Sequence, residues 1–453
     1  MHRLITGILA GALAAACPAA AQFDLQLPLQ YGYQQTIANP AALQDHHVTV
    51  ALPSVGVGYL TPVATADIGR TENGTLVLDA DQAINRLATR GNDARVAAIA
   101  ETIAFNYRRA GWQAGVSHRV RGGGAVDLPR GLIQLAAYGN ARYAGTSLEV
   151  MPAVHASAFQ EFAAHGAFTF RDRLTFGARA KLLLGSFAVA TSSADATLTT
   201  DHEFYAATIL TNAAFSTAGV PVSFDGTGID VGDPRGLSGA GLGFGFDFGA
   251  IYRQGDALEL GFSLRDLGGI RWSGDAMEHR SAGTFTFRGY EGDIFEEEGF
   301  EFDAGALVDS LVEAVAFRST PQTFRTALPA TLQATARYRL SARTSALATA
   351  YAANQDRWHS AFGIGLNQAI GQWFNGGLLA GMKSGGAYLG ANVLFDLWGP
   401  QLYVACDNVL ALTDLDNAND AWVRAGINLA FGQVRQTRAV KGWYDVQVEG
   451  INK

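Results

Sequence analysis

The stretch of sequence that decides the fold reads Leu242-Gly243-Phe244-Gly245-Phe246-Asp247-Phe248. Large apolar side chains occupy every second position, with Gly or Asp between them. Successive side chains of a β-strand point to opposite faces, so a strand here has one bulky apolar face and one small or charged face. The chain then turns at Gln254-Gly255-Asp256 and returns as a second alternating stretch from Leu258 to Leu264. The pattern predicts a β-hairpin with one apolar face.

The same alternation recurs along most of the chain, and we count about 14 strands, within the range found for outer-membrane barrels. Earlier strands begin near Val48, Thr102, Gly111, Phe168 and Leu174. The C-terminal third is predicted to hold further strands at residues 331–340, 344–352, 360–367, 373–383, 387–395, 401–408 and 421–431.

Joins between the predicted strands are short at one end and long at the other. Short joins lie at residues 340–343, 369–372 and 397–400, and the long ones at 61–96, 186–197, 272–327 and 413–420. This asymmetry is typical of outer-membrane barrels, whose long loops face out of the cell. Helical spacing of apolar residues at 79–90 and 304–317 predicts two short helices folded over a rim.

Composition favours a membrane barrel over a soluble protein. Charged residues make up 16% of the 453-residue chain, against about 25% in soluble domains. Beyond the first twenty residues, no apolar run reaches the ~20 positions of a membrane helix. In lipid every backbone polar group must be paired, which strands achieve only in a closed cylinder. The fold class is therefore all-β, a transmembrane antiparallel barrel, and the net charge of −8 argues against a nucleic-acid partner.

The chain divides into four predicted parts. Residues 1–21 are typical of a signal peptide, with Arg3 before an apolar stretch and small residues ahead of Gln22, although Cys17 leaves a lipoprotein signal open. An N-terminal hatch or plug at 22–46, a barrel at 47–431 and a periplasmic tail at 432–453 follow. Trp and Tyr favour the lipid–water interface, and the aromatic residues near predicted strand ends are Trp112, Tyr252, Trp272, Trp373, Trp398 and Trp422. The expected location is the outer membrane.

A family resemblance rests on the motif Asn39-Pro40-Ala41 and on several longer patches. The motif resembles the one in the N-terminal hatch of the FadL family, the long-chain fatty-acid outer-membrane transporters. Patches at 128–133, 177–185, 262–272 and 424–431 are similar to an uncharacterised FadL/PorV-like family of Bacteroidetes outer-membrane proteins, related to the PorP/SprF group. The resemblance implies a barrel of about 14 strands with an N-terminal plug.

Charged residues inside predicted strands should face the lumen, because a lipid-facing Lys or Arg costs about 2–4 kcal/mol near the bilayer midplane. Four such residues are Arg179, Lys181, Arg265 and Asp266. They are candidates either for a polar path through the barrel or for salt bridges that stiffen its wall.

The sequence predicts no enzyme, no catalytic residue, no metal ligand and no cofactor. His118, His155 and His165 lack a Cys or carboxylate at ligand spacing, and the adjacent His46 and His47 would point to opposite faces of a strand. Gly122-Gly123-Gly124 is not followed by the Lys-Ser/Thr of a phosphate loop. Acidic stretches at 291–303 and 414–420 are interpreted as a solvated loop and a turn rather than as calcium sites.

Two functions remain. The first is a FadL-like channel that takes up or binds a hydrophobic small molecule, with an apolar pocket behind Asn39-Pro40-Ala41 and lateral release of the ligand. The second is a PorV/PorP-like anchor or accessory barrel for secreted proteins, with a filled lumen and an exposed apolar loop patch around Phe285, Phe287, Tyr290 and Phe295. The expected partners are outer-membrane lipid together with either that ligand or a secreted protein.

Overall fold

The computed structural model describes residues 32–434, apart from 73–74, 204–205, 225–228, 235, 238, 288–316, 355–357 and 384–385. Long strands dominate it. They are β1 (His46–Leu60), β2 (Asp93–Arg109), β3 (Trp112–Asp127), β4 (Ala153–Phe170), β5 (Leu174–Thr200), β6 (Gly241–Gln254), β7 (Leu258–Trp272), β8 (Thr331–Arg339), β9 (Thr344–Asn354), β10 (Trp358–Ile370), β11 (Phe374–Lys383), β12 (Gly386–Asp396), β13 (Pro400–Cys406) and β14 (Asp420–Gln433).

These strands form one closed antiparallel barrel. Each pairs with its neighbours in the chain, and β1 pairs with both β2 and β14. In the closing ladder Val48 lies opposite Phe431 and Leu60 opposite Asp420. The predicted all-β barrel of about 14 strands is therefore confirmed. Closure gives every barrel strand a partner on both sides, the condition that a lipid environment imposes on strands.

Smaller elements lie at the rims of the barrel, apart from the first helix, which lies inside it. The described α-helices are α1 (Gln35–Ala38), α2 (Thr65–Ile68), α3 (Ala80–Arg86), α4 (Arg130–Tyr138) and α5 (Val409–Thr413), with 3₁₀ turns at Ala141–Tyr143 and Leu415–Asn417. Short strands lie at Gly69–Glu72, Thr75–Leu78, Ser147–Glu149, Val222–Phe224 and Ile229–Val231. Ala207–Ala218, Met277–Phe287 and Arg318–Pro321 form an outer sheet that extends β5, and Phe324–Ala327 pairs with the end of β7.

The two ends of the barrel differ as predicted. At the short-turn end, where β1 begins and β14 ends, the strands are joined by at most four residues. At the opposite end, which we call the outer end, the connections include residues 61–92, 128–152, 201–240 and 273–330. The helix predicted at 79–90 is α3, and the Asp79 side chain accepts a 2.9 Å hydrogen bond from the Gln82 N–H at its start.

Two predicted connections need correction. Residues 186–197 belong to β5, which is 27 residues long and continues beyond the barrel. That part of β5 is rich in Ala, Ser and Thr because it has left the apolar zone and needs no bulky outward face. The connection at 272–327 contains strands of the outer sheet. The helix predicted at 304–317 lies outside the described residues except for Phe317, as do the signal peptide and the tail beyond Val434.

Burial follows the alternation seen in the sequence. In β6 the outward Leu and Phe residues are 48–58% exposed, whereas the inward Asp247 is 1% exposed. The same outward face continues around the barrel, with exposed large residues including Val55, Val57, Ile103, Phe105, Val116, Phe162, Phe168, Phe176, Leu182, Leu260, Phe262, Phe362, Ile364, Leu366 and Leu378. The barrel thus has an apolar exterior and a polar interior, the arrangement that transmembrane barrels require.

The aromatic residues near strand ends divide into two groups. Trp112, Tyr252, Trp373 and Trp398 are exposed at the short-turn end. The prediction is wrong for Trp272 and Trp422, which are buried.

Glycines account for the two buried tryptophans. The ring of Trp272 occupies space beside Gly185 and Gly241, and that of Trp422 occupies space beside Gly56 and Gly58. The missing side chains leave room for both rings inside the barrel.

Candidate functional site

Residues 32–45, which we call the N-terminal segment, lie inside the barrel. The Gln34 and Asn428 side-chain amides exchange hydrogen bonds of 3.1 and 3.0 Å at β14. On β3, the Gln113 side chain accepts a hydrogen bond from the Gln44 N–H at 3.0 Å and donates one to the Ala42 carbonyl at 2.7 Å. Since the segment also contacts β5, β6 and β7, it spans the lumen near the short-turn end.

The motif Asn39-Pro40-Ala41 docks against glycines of the inner wall. The Asn39 amide nitrogen donates to the carbonyls of Ala250 at 3.4 Å and Phe262 at 3.1 Å, so one side chain bridges β6 and β7. Its oxygen accepts the Ala41 N–H at 2.9 Å. A side chain on Gly249 would collide with Asn39 Oδ1, and one on Gly177 with the Pro40 carbonyl. The turn therefore needs small residues on β5 and β6.

The last carbonyls of α1 face donors on the wall. Arg179 donates to the Thr36 carbonyl at 3.0 Å, Arg265 to that of Ile37 at 3.3 Å, and Ser263 to that of Ala38 at 2.8 Å. Carbonyls at a helix C-terminus lack partners within the helix. Two of the predicted lumenal residues, Arg179 and Arg265, thus hold the N-terminal segment through its backbone.

A bulge in β7 places two consecutive charged residues in the lumen. Phe246 pairs with Leu267 and Phe248 with Leu264, so the single residue Asp247 lies opposite both Arg265 and Asp266. Asp266 has φ of 59°, a left-handed conformation that Asp tolerates better than most residues. Regular alternation would have turned one of the two toward the apolar exterior of the barrel. Instead Arg265 is 6% and Asp266 9% exposed.

Around this bulge lies a cluster of buried charges, which we call the ionic layer. Lys181 Nζ contacts Asp247 Oδ1 and Asp266 Oδ1, both at 2.6 Å. Arg121 Nη1 contacts Asp266 Oδ1 at 2.9 Å and Glu161 Oε2 at 3.1 Å. The layer consists of Arg119, Arg121, Glu161, Lys181, Asp247 and Asp266 on strands β3 to β7, with Arg119 also paired to Glu161. It joins five strands across the lumen.

On the outer side of the ionic layer, the lumen widens into a cavity of about 540 Å³. Asp266 lies at its base. Phe159, Ile270, Phe324 and Leu328 form an apolar part of its wall, and Arg95, His155, Arg325 and Asn354 are among its polar lining residues. The four apolar residues pack in one cluster with Trp272. By contrast, the space between Asn39 and β6 to β8 measures about 30 Å³. Another cavity, which the N-terminal segment lines at the short-turn end, measures about 130 Å³. The cavity on the outer side of the ionic layer is therefore larger than either of these two.

Sequence reasoning missed several residues of this arrangement. Arg119, Arg121, Glu161 and Asp247 were not singled out, although each is a charge inside an alternating apolar strand, the same signal that identified Lys181. The glycines that receive the Asn39-Pro40 turn were also missed. Their role depends on contact with residues more than 130 positions away, which alternation does not encode.

Other candidate chemistry is limited in the described residues. In that part of the chain, no group of three or more His, Cys, Asp and Glu side chains is placed to hold a metal ion. The acidic stretch at 291–303 lies outside it. In the other stretch, the Asp414 carboxylate accepts hydrogen bonds from the Asn417 backbone and side chain, as expected of a turn. Among described helices, none is long and apolar enough to cross a membrane.

Comparisons with solved structures give distant similarity over most of the chain. The toluene transporter TbuX of Ralstonia pickettii is 11% identical with a TM-score of 0.45, covering 88% of this chain and 94% of TbuX. A FadL homologue of Pseudomonas aeruginosa is also 11% identical, with a TM-score of 0.42 and the same coverage. The toluene transporter TodX of P. putida is 11% identical with a TM-score of 0.42, covering 89% of this chain and 95% of TodX. No curated protein matches the sequence.

A family model matches residues 40–407, from the Pro of the Asn39-Pro40-Ala41 turn to the end of β13. The match spans most of the barrel and far more than half of the chain. The protein therefore belongs to the family of unknown function DUF5723.

Proposed function

We propose that the protein is an outer-membrane barrel that binds and takes up a hydrophobic small molecule through its outer end. The observation that carries this proposal is the cavity of about 540 Å³, whose wall combines the apolar side chains Phe159, Ile270, Phe324 and Leu328 with polar residues such as Ser157 and Asn354. Ligand pockets are commonly concave and mostly apolar, with a few polar groups, and have volumes of about 300–1,000 Å³.

In this proposal the N-terminal segment is a plug. Its docking to β5, β6 and β7 through Asn39, Arg179 and Arg265 blocks the lumen on the periplasmic side of the cavity. The ionic layer separates the plug from the cavity, and its charges are largely paired. We therefore assign Lys181 and Asp266 first to stiffening the wall and only second to lining a polar path.

The outer-membrane location is part of the same proposal. It is supported by the apolar exterior, the exposed Trp residues at the short-turn end and the unequal connections at the two ends. For the accessory role suggested by the resemblance to PorV, the described residues offer less support. Phe285 and Phe287 lie half-buried in a paired strand, and Tyr290 and Phe295 lie outside the described residues.

A substitution that places a large side chain in the cavity tests the proposal. Ser157 lies in its wall, and Ser157→Trp should occupy much of the space. We expect cells that produce the wild type to take up the apolar fluorescent probe N-phenyl-1-naphthylamine faster than cells carrying the empty vector. Ser157→Trp should remove that difference.

A matched control is Ser360→Trp, because Ser360 is exposed on β10 away from the cavity. This variant should retain wild-type uptake. Equal uptake with wild type and empty vector would overturn the proposal, as would full uptake by Ser157→Trp. Surface labelling verifies that all three proteins reach the outer membrane in equal amounts.

A further inference from the structure

Two arginines lie side by side on the outside of the barrel near its outer end. Arg271, in β7, is the register partner of Arg325, in the strand Phe324–Ala327. Partners across an antiparallel pair point to the same face, about 4.5–5.5 Å apart at Cβ. Both residues are exposed, whereas the flanking pair Trp272 and Phe324 faces inward. The two guanidinium groups therefore share one outward surface.

The position of the two arginines along the barrel axis places them at the edge of the apolar exterior. The outward residues of β7 run from Leu260 and Phe262 through Leu264 to Arg271. Arg271 is 13 residues beyond Leu258 at the short-turn end, which corresponds to roughly 30–35 Å along the axis of a tilted barrel. The apolar band of such barrels is about 25 Å tall. Leu242, opposite Arg271 on β6, is 53% exposed, so the pair adjoins apolar surface directly.

Within the part of the chain that the structure describes, the pair has no counter-charge of its own. In the described residues, no carboxylate lies within 4.0 Å of either guanidinium group. Like charges directly opposite each other destabilise a strand pair, so an external anion bound between them would be stabilising. A guanidinium group suits phosphate in particular because its planar donors can bind two phosphate oxygens at once.

We propose that Arg271 and Arg325 bind the phosphate of an outer-leaflet lipid, whose acyl chains lie along the apolar face below them. The partner is a lipid rather than a soluble phosphate because the pair directly adjoins Leu242 and the outward face of β7. The proposal rests on the outer-membrane location given above. Arg325 also borders the cavity, but the phosphate would bind on the outward face that Arg325 shares with Arg271 and would not require a ligand in the cavity.

The test compares two lipids that differ only in phosphate. The full-length protein, purified in detergent, is titrated with dioleoyl phosphatidic acid or with dioleoylglycerol, and bound lipid is counted by native mass spectrometry. Arg271→Gln/Arg325→Gln should bind phosphatidic acid at least about tenfold more weakly than the wild type, a difference of about 1.4 kcal/mol. Binding of dioleoylglycerol should not differ. The control is Arg339→Gln/Arg343→Gln, which removes two exposed arginines at the short-turn end.

Each outcome decides the proposal. Equal binding of phosphatidic acid by the wild type and the Arg271/Arg325 variant overturns it, and so does an equal loss in the control variant. Displacement of the lipid by equimolar glycerol 3-phosphate would mean that the pair binds a soluble phosphate instead. If uptake of the apolar probe fails while arginine-dependent lipid binding persists, the proposed function is wrong and this inference stands. If probe uptake is as expected but lipid binding does not depend on the two arginines, this inference is wrong and the proposed function stands.

Discussion

The backbone N–H of Asp266 donates a 2.7 Å hydrogen bond to the Oδ1 of Asp247 across the bulge between β6 and β7. This contact brings two carboxylates together at one point of the lumen, where Lys181 and Arg121 compensate their charge. The bulge thus does two things at once. It turns Asp266 inward, and it fixes the carboxylate that ties β3 and β5 to β7.

Removing the charge of Asp266 should destabilise the barrel. In Asp266→Asn, Arg121 and Lys181 lose a shared partner while the left-handed backbone is retained, because Asn also tolerates that conformation. Breaking a buried ion pair by removing one partner costs about 3–5 kcal/mol. The loss is measured as a lower midpoint of urea unfolding in detergent micelles. Asp233→Asn, at an exposed loop position, should leave the midpoint unchanged, and an unchanged midpoint for Asp266→Asn would refute the assigned role.

The amide of Asn39 should be needed to seat the N-terminal segment. Asn39→Asp keeps the shape but cannot donate to the carbonyls of Ala250 and Phe262, and losing a hydrogen bond costs about 0.5–1.5 kcal/mol. We expect faster proteolysis of the segment and larger ion conductance in a planar bilayer. Asn140→Asp, at the outer end, serves as the control. Conductance equal to that of the wild type would show that the amide does not hold the segment.

Replacing a glycine of the inner wall by Ala should disturb the N-terminal segment only where little space is available for the added Cβ. In Gly177→Ala the new Cβ would lie 2.3 Å from the Pro40 carbonyl group, whereas in Gly166→Ala the nearest atom is at 3.6 Å. Overpacking costs about 1–3 kcal/mol, so only Gly177→Ala should displace the N-terminal segment. Labelling of a cysteine introduced at Gln35 by a water-soluble maleimide reports the displacement. Equal labelling in both variants would contradict the docking described here.

The outer sheet should weaken in acid because of His279. This ring is buried, stacks on Phe215 at 4.7 Å and contacts Thr217 at 2.9 Å and Ser319 at 2.8 Å. Burial lowers the pKa of His279 below its ordinary value, so the unfolded state binds the proton more readily. The stabilisation is complete above the unfolded pKa of about 6.5 and is lost as the pH falls below it.

Amide hydrogen exchange, corrected for its intrinsic pH dependence, measures that effect. Exchange in Ala207–Ala218 and Met277–Phe287 should speed up between about pH 7.5 and pH 5 in the wild type. In His279→Gln, which does not titrate, the pH dependence should largely disappear. A wild-type pattern in that variant would assign the effect to other groups.

The sequence by itself determined that the chain forms a barrel and that the connections at its two ends differ in length. Alternation is a local property of each strand, so the segment around Phe244 and Phe246 already separates an apolar from a polar face. Short and long joins can likewise be counted along the chain, and a charge inside such a strand must avoid lipid. The strands, the two unequal ends and the candidate lumenal residues therefore follow from residues close together in sequence.

Only the tertiary structure decided which charged side chains pair, which aromatic rings face the lumen and where the lumen keeps a cavity. Trp272 faces inward because Gly185 and Gly241 from two other strands leave room for it. Asp266 joins Arg265 in the lumen because a bulge shifts the alternation by one residue. Such effects depend on the registers of strands that are distant in sequence, and closing the barrel is what brings those strands together.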